Sequence, residues 1–315
     1  MTLSEELAEI RDAVLTKEEK IRRLMLLPGL TEAHSWLTYS SWVDEGMPEY
    51  ELSRGRRNAK KDFYYTFGCE MECYVHYRDV IKSAKGVKFV YEDYNHKCYD
   101  DHFKLVLDVS VDISKEGVEC VSPILHGEEG MAKLQKACKA LNDNGAKVDR
   151  LCGMHIHIGV PGMGSKQFVN VFRNYQRCEE AIDSFMPKSR RNNAYCCSLK
   201  EIDMEHCSSH NRLLELLTEG PARGTRYYKV NAESWEKYKT IEFRQHQGTT
   251  DFTKISNWIR FCVALIRYSM GQKVLDHDIQ RVEDLPFLRD EQKSYYIKRR
   301  EQIAKRTKKK DDGKE

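Results

Sequence analysis

The sequence lacks the features that define several protein classes. No uninterrupted apolar run approaches the roughly 20 residues that a helix needs to cross a bilayer. The eleven cysteines are scattered without paired spacing, which excludes a disulfide framework and favours reduced thiols. The segment 1–7 carries acids where a secretory signal has basic and then apolar residues. We therefore expect a cytoplasmic protein without a membrane partner.

The sequence also lacks a large excess of either positive or negative charge. The net charge of the 315 residues is only +3, and the excess lies in the Lys/Arg-rich stretch 298–310. This balance does not predict a specific nucleic-acid surface. A basic tail that binds an acidic partner is a weaker alternative, because terminal charge runs are usually solvated.

Three regions follow from composition. Residues 1–61 read as a helical N-terminal arm and a basic linker, 62–275 as the main domain, and 276–315 as a basic extension whose end we expect to be disordered. The arm spaces Leu3, Leu7, Ile10, Val14, Ile21 and Leu24 by alternating steps of four and three residues, broken at Lys17. It predicts a helix that packs on its own domain or, less favoured, one that forms a homo-oligomer.

Three later helices are predicted from spacing and caps. They cover Met131–Asn142, Ser165–Met186 with Ser165 as N-cap, and Phe252–Met270 with Asp251 as cap.

Several segments alternate apolar residues with carboxylate and imidazole. Since neighbouring side chains of a strand point to opposite faces, each segment has one chemically distinctive face. These faces carry Glu70 and Glu72 in 67–73, His155 and His157 in 153–160, Glu242, Arg244 and His246 in 240–246, and Asp108, Ser110 and Asp112 in 103–112. Glu119 follows the last of these.

One such strand alone would more often be an ordinary half-exposed strand. Several together concentrate carboxylates, whose mutual repulsion is costly without a cation. Carboxylate oxygens favour magnesium or manganese bridging to phosphate over zinc. Arg244 would complement phosphate charge.

These segments together resemble the amidoligases related to glutamine synthetase and glutamate–cysteine ligase. The residues that carry the likeness are Phe67–Glu72, Asp108–Ser110, Val118–Ile124, Cys152–Gly159, Arg226 with Tyr227 and Asn231, and Thr240–Arg244 with Gly248 and Thr249. The resemblance implies an α+β fold with an antiparallel sheet that forms a funnel-shaped active site flanked by helices. It also implies an ATP- and Mg²⁺ (or Mn²⁺)-dependent ligase that joins a carboxylate to an amine through an acyl phosphate.

Residue roles follow from the resemblance. The implied metal ligands are Glu70, Glu72, Glu119, His157 and Glu242, with Glu70 and Glu72 divided between two sites. The implied nucleotide contacts are His155, His157, Arg226, Arg244 and Asn231. Arg226 and Arg244 would clamp phosphates, and Asp108 would steer or deprotonate the amine, unless it is a structural turn residue.

Other interpretations of the same residues are weaker. An inert binding subunit would be expected to have lost Glu70, Glu242 or Arg244. A metal-dependent hydrolase with His-x-His would place that motif early in the chain. A zinc site at Cys196, Cys197, His206, Cys207 and His210 lacks the paired spacing of zinc fingers. The loops 186–195, with Arg190 and Arg191, and 220–228 are candidate recognition loops for an amino acid, peptide or protein side chain.

Overall fold

The structure is a computed structural model of the chain. It describes residues 2–12, 17–27, 29–44, 65–95, 97–107, 116–271 and 273–312. The predicted linker 53–61 and Asp108 lie outside these ranges. Within the described part of the chain, no helix is both long and apolar enough to cross a bilayer.

The described residues form an α+β architecture around one mixed sheet. The strands are β1 (Thr66–Tyr74), β2 (Phe89–Glu92), β3 (Phe103–Val106), β4 (Gly117–Val121), β5 (Leu125–His126), β6 (Met154–Gly159), β7 (Val230–Asn231) and β8 (Thr240–Phe243). Their order in the sheet is β2-β3-β4-β1-β6-β8-β7, and β5 pairs with β1 at the side. Only the β2–β3 pairing is parallel among these described strands.

Helices occupy the remaining regular structure. They are α1 (Leu3–Asp12), α2 (Lys17–Met25), α3 (Glu32–Asp44), α4 (Tyr77–Ser83), α5 (Gly127–Asp143), α6 (Ser165–Arg177), α7 (Glu179–Ser184), α8 (His210–Glu219), α9 (Ser234–Tyr238), α10 (Phe252–Met270) and α11 (Asp290–Asp312). Short 3₁₀ turns lie at Lys188–Arg190, Thr225–Tyr227 and Val282–Asp284.

The sheet has a core face and a polar face because its strands alternate as predicted. Cys69, Met71, Met154, Ile156 and Phe243 are fully or almost fully buried on the core face. Helix α10 packs against β6 and contacts both α5 and α6 on that side. The opposite face carries the charged residues and lines a large cavity.

The helix predictions are partly confirmed. Helix α10 begins and ends at the predicted residues, and the Asp251 side chain accepts the backbone N–H of Thr253 at 2.9 Å. Helix α5 begins four residues earlier than predicted. The predicted helix 165–186 is instead two helices, α6 and α7, which meet at Cys178, and the N-cap is Gly164 rather than Ser165.

The N-terminal arm is not one helix. Helices α1 and α2 pack with α3, which the sequence pattern did not predict, around a small core of Ile10, Ile21, Leu24, Tyr39 and Trp42. Helix α3 also contacts β1.

Much of the basic C-terminal extension belongs to helix α11 (Asp290–Asp312), whereas disorder at its end stays a prediction. Tyr296 and Arg299 are buried among the charged residues of this helix. Tyr296 stacks 4.3 Å from the Phe185 ring and donates a hydrogen bond to the carbonyl of Asn257 at 2.9 Å. A few inward-facing residues therefore dock a helix whose composition alone suggests a solvated segment.

Candidate active site

The strand order brings together carboxylates and histidines that are far apart in the chain. Glu70 on β1 lies opposite His155 on β6. Next along β6, His157 lies opposite Glu242 on β8, and Glu242 lies opposite Asn231 on β7. The polar faces of four neighbouring strands thus join into one continuous surface.

Glu70 and Glu242 share both histidines. The Nδ1 atom of His155 lies 3.0 Å from Glu70 Oε2 and 3.6 Å from Glu242 Oε1. The Nε2 atom of His157 lies 3.4 Å from Glu70 Oε1 and 3.9 Å from Glu242 Oε2. Two anions and two imidazoles are therefore in mutual contact at the floor of the cavity.

Two groups of three side chains bring their ligand atoms within 4.8 Å of one another. One consists of Glu70, Glu119 and His155, and the other of Glu70, His157 and Glu242. Glu70 belongs to both. A carboxylate has two oxygens, so Glu70 can bridge two cations, as carboxylates do in two-metal sites.

Burial and neighbouring charges shift the pKa values of the side chains in this cluster. Burial alone would raise the pKa of Glu70, but hydrogen bonds from His155 and His157 hold it well below the usual range. Burial likewise opposes the ionisation of Glu242, yet the positive charges of Arg244 and His157 lower its pKa. Burial would lower the pKa of His157, but the charges of Glu242 and Glu70 outweigh it and raise the pKa. Both carboxylates are thus ionised at neutral pH.

Arg244 and Asn231 fix the Glu242 carboxylate by hydrogen bonds to its two oxygens. The Arg244 guanidinium donates to Glu242 Oε1, and Asn231 Nδ2 donates to Glu242 Oε2 at 2.5 Å. Arg244 also lies 5.9 Å from the Tyr227 ring centroid. Like Glu242, Arg244 lines the cavity and is almost fully buried.

Glu72 was predicted to divide the metal sites with Glu70, and that role stays a prediction. It lies opposite Glu119 and lines the cavity, but its Oε2 atom accepts the backbone N–H of Gly153 at 2.6 Å. Neither three-residue group of the described chain includes it. His155, which was predicted as a nucleotide contact, belongs to the group with Glu70 and Glu119.

The predicted site residues that the structure describes all line one cavity of about 1530 Å³. These are Glu70, Glu72, Glu119, His155, His157, Arg226, Asn231, Glu242 and Arg244. Arg226 is exposed in the turn Thr225–Tyr227, away from the buried ligand group. His246 does not follow the predicted face, because β8 ends at Phe243 and His246 packs 5.7 Å from the Trp258 ring.

The two arginines of the predicted recognition loop 186–195 are placed differently, and two further residues join the cavity. Arg190 is buried at the cavity wall, where its guanidinium donates to the carbonyls of Arg244 and Gln245. Arg191 instead donates to the carbonyl of Met186. His102 and Lys104 also line the cavity. His102 directly precedes β3 and Lys104 lies on it, and their spacing of two residues was a signal that could have found them.

The wall near Arg226 is built from an aromatic stack. The Arg223 guanidinium lies 4.4 Å from the Tyr195 ring centroid and 3.9 Å from the Tyr227 ring centroid. All three side chains line the cavity. The predicted recognition loops 186–195 and 220–228 thus meet here.

The alternative zinc site does not assemble. Cys196 Sγ lies 3.6 Å from the carbonyl of Arg190, Cys207 Sγ lies 3.5 Å from the carbonyl of Ser209, and His210 contacts Ala232 and Glu236. No metal-binding group in the described residues includes any of the five.

The sheet, the shared carboxylate and the buried arginines define a class of protein: an α+β protein with a cluster of carboxylates and imidazoles at the floor of a wide cavity. A family model described as "putative amidoligase enzyme" matches residues 64–266, well over half of the chain. The chain belongs to this family, and the membership indicates a ligase that forms amide bonds. A search of curated proteins found no match.

Proposed function

We propose that the protein is an ATP- and Mg²⁺-dependent carboxylate–amine ligase that works through an acyl phosphate. The observation that carries the proposal is the pair of ligand groups that share Glu70 beside the buried arginines Arg190 and Arg244. Phosphoryl transfer from ATP needs charge neutralisation by cations and positioning more than it needs covalent catalysis by the protein. In this proposal the two ligand groups hold the cations, and the buried arginines position the phosphoryl group.

The donor set fits Mg²⁺ or Mn²⁺ because carboxylate oxygens outnumber the imidazoles. Glu70, Glu119 and His155 would hold one ion, and Glu70, His157 and Glu242 the other. When bound, such ions polarise phosphoryl oxygens and neutralise their charge. Two ions held by one carboxylate would lie close enough to serve a single transferring phosphoryl group.

The side chains around the floor have separate roles in this proposal. Arg244, fixed by Glu242, and Arg190, fixed by two backbone carbonyls, present cations to oxyanions without reorganising. In the first half-reaction a substrate carboxylate oxygen takes the γ-phosphoryl group and ADP leaves. In the second, a deprotonated amine attacks the acyl carbon and phosphate leaves with the former carboxylate oxygen. Asp108 stays our predicted residue for accepting the amine proton.

The nucleotide contacts stay proposals as well. Arg226 lies at the exposed wall, so it would meet a nucleotide or substrate phosphate at the mouth of the cavity rather than at its floor. Asn231 donates to Glu242, so it would act by orienting that ligand. The substrates would be a carboxylate and an amine from an amino acid, a peptide or a protein side chain.

The test is isothermal titration of a non-hydrolysable ATP analogue into the wild type, Glu70→Ala, Glu242→Ala and the surface control Glu129→Ala, each with and without Mg²⁺. We expect Mg²⁺-dependent binding in the wild type and in Glu129→Ala, and its loss in the two site variants. Absence of binding to the folded wild type would refute the ligase proposal and favour an inert binding subunit.

A further inference from the structure

Gly68 occupies an unusual place for a glycine. It lies inside β1, two residues before Glu70 on the same face, and it pairs directly with His157. It lines the cavity. A glycine inside a strand weakens the strand, because it has no side chain to pack and loses more backbone entropy on folding. Some other requirement must therefore offset this cost.

Packing within the protein does not supply that requirement. A Cβ atom at position 68 would lie 3.7 Å from His157 Cβ and 3.9 Å from Ser122 Oγ, which are ordinary contacts. At Gly159 on the neighbouring strand, a Cβ atom would lie 2.0 Å from Thr66 Oγ1, and at Gly248 it would lie 2.4 Å from Cys152 Cβ. Those glycines are required by neighbouring atoms of the protein, whereas Gly68 is not.

The backbone does not require glycine at position 68 either. On the β6 side the register runs without a bulge from Phe67 to Met71. On the other side Val121 lies opposite Glu70 and Leu125 lies opposite Phe67, so the three residues 122–124 face two residues of β1, and the extra residue belongs to that segment and not to β1. Gly68 is not among the residues with positive φ. A strand glycine that is not itself the bulged residue and has no close protein neighbour is typical of a place where a ligand approaches the backbone.

We propose that the missing side chain at Gly68 makes room for an oxyanion that lies on the sheet beside the Glu70–His157–Glu242 group. The proposal rests on the proposed function, which puts a cation in that group. Gly68 adjoins two of the three ligands, Glu70 along the strand and His157 across it. The oxyanion is a phosphoryl group of the nucleotide or the carboxylate of the acyl donor, since both bind a hard cation through oxygen.

Lysine and serine side chains line the same cavity as Gly68. Lys237 and Lys239 line it, and the Lys239 carbonyl accepts the N–H of Val160 at 2.8 Å. This bond fixes Lys239 beside the end of β6. Ser122 Oγ, close to the position of the missing Cβ, also lines the cavity.

The experiment compares Gly68→Ala and Gly68→Val with the wild type and with Gly271→Ala. Gly271 is exposed after α10, and a Cβ atom there would lie 3.5 Å from the carbonyl of Tyr268, so this control adds a methyl group without entering the cavity. Melting temperature first establishes that each variant is folded. Calorimetry then measures the binding of Mn²⁺ alone, of pyrophosphate with Mn²⁺, and of glutarate with Mn²⁺.

We expect Mn²⁺ alone to bind equally to all four proteins. In contrast, one oxyanion should bind at least about fivefold more weakly to Gly68→Ala, and weaker still to Gly68→Val, because added atoms in a filled space are costly. Loss of pyrophosphate binding identifies a phosphoryl group, and loss of glutarate binding identifies a carboxylate. If Gly68→Val does not fold, Gly68→Ala still tests the proposal, because alanine adds only one methyl group.

The inference is overturned if both oxyanions bind the Gly68 variants as tightly as they bind the wild type, or if neither binds the wild type in the presence of Mn²⁺. Failure of the proposed function has a different signature, since the folded wild type would then not bind Mn²⁺ at all.

Discussion

Glu70 is the side chain that the two candidate ligand groups have in common. Its two oxygens contact both histidines, and it belongs to both ligand groups. The charges of Arg244 and of protonated His157 offset the charge of Glu242. If the proposed function holds, protons and metal ions compete for His157, whose pKa lies above its ordinary value.

This competition predicts the pH dependence of metal binding. A His157 imidazole with a raised pKa is protonated below that pKa and must lose its proton to become a ligand. Mn²⁺ affinity should therefore fall as the pH is lowered through the raised pKa, by up to about tenfold per pH unit for one displaced proton. Titrations between about pH 6 and about pH 9 measure this slope, because the window brackets the range in which histidine titrates.

The matched variant is His157→Gln, which removes the competing proton. It should bind Mn²⁺ more weakly and with a shallower pH slope. Wild-type affinity that stays constant or increases on acidification would contradict the role of His157 as a ligand.

At the scale of single residues, the sequence predicted which side chains share the polar face, because alternation in a strand is a local property. It could not predict which of them meet, since that depends on the order and register of strands far apart in the chain. Glu72 illustrates this, because the backbone N–H of Gly153 reaches its carboxylate. His155 lies opposite Glu70 and belongs to a group that could hold a metal ion, which the pattern of its own segment could not reveal.

At the scale of elements, helix α11 is a charged segment that packs on the domain through a few inward-facing residues. Tyr296 is buried, and its ring packs against both Phe185 and Phe261. The Arg299 Nε atom donates to the carbonyl of Phe185 at 3.2 Å. Arg300 adds a two-pronged ion pair with Glu283, with contacts of 3.0 and 2.8 Å.

We expect Tyr296→Ala to lower the free energy of unfolding by about 3–5 kcal/mol, the usual cost of removing a large buried aromatic side chain. The exposed residue Glu301 on the same helix provides the control, and Glu301→Ala should change stability by less than about 0.5 kcal/mol. Urea denaturation of both variants measures the difference. Equal stabilities would mean that α11 is not docked.

The elements that the sequence predicted best carry local signals. Helix α10 has an apolar stripe and a capping aspartate at the predicted position. The break between α6 and α7 falls at Cys178, with neither glycine nor proline to mark it. For α11, the inward positions are too sparse among lysines and arginines to produce a periodic signal, and only tertiary contacts reveal them.

At the scale of the whole molecule, a buried ion network joins the helical layer to the sheet edge behind the site. Lys229, which directly precedes β7, is fully buried. Its Nζ atom lies 2.8 Å from Glu179 Oε1 and 2.7 Å from Asp183 Oδ1 on α7. Gln245, just beyond β8, donates to the same Asp183 oxygen. The network fixes the strands that carry Asn231 and Glu242.

We expect Lys229→Met to destabilise the protein by about 3–5 kcal/mol, because it leaves buried carboxylates without their cation. Lys200→Met is the matched control, since Lys200 pairs with Glu180 at the surface, with both side chains about half exposed. That change should cost less than about 1 kcal/mol. Similar losses in the two variants would contradict the structural role of the buried network.

The most direct test of the account is the number of Mn²⁺ ions bound per chain, counted by electron paramagnetic resonance in the wild type, Glu119→Gln, Glu242→Gln, Glu70→Gln and the control Glu72→Gln. If Glu70 bridges two cation sites, the wild type and Glu72→Gln should bind two ions, Glu119→Gln and Glu242→Gln one each, and Glu70→Gln none. Two ions retained by Glu70→Gln, or a single ion in the wild type, would contradict the shared-carboxylate site.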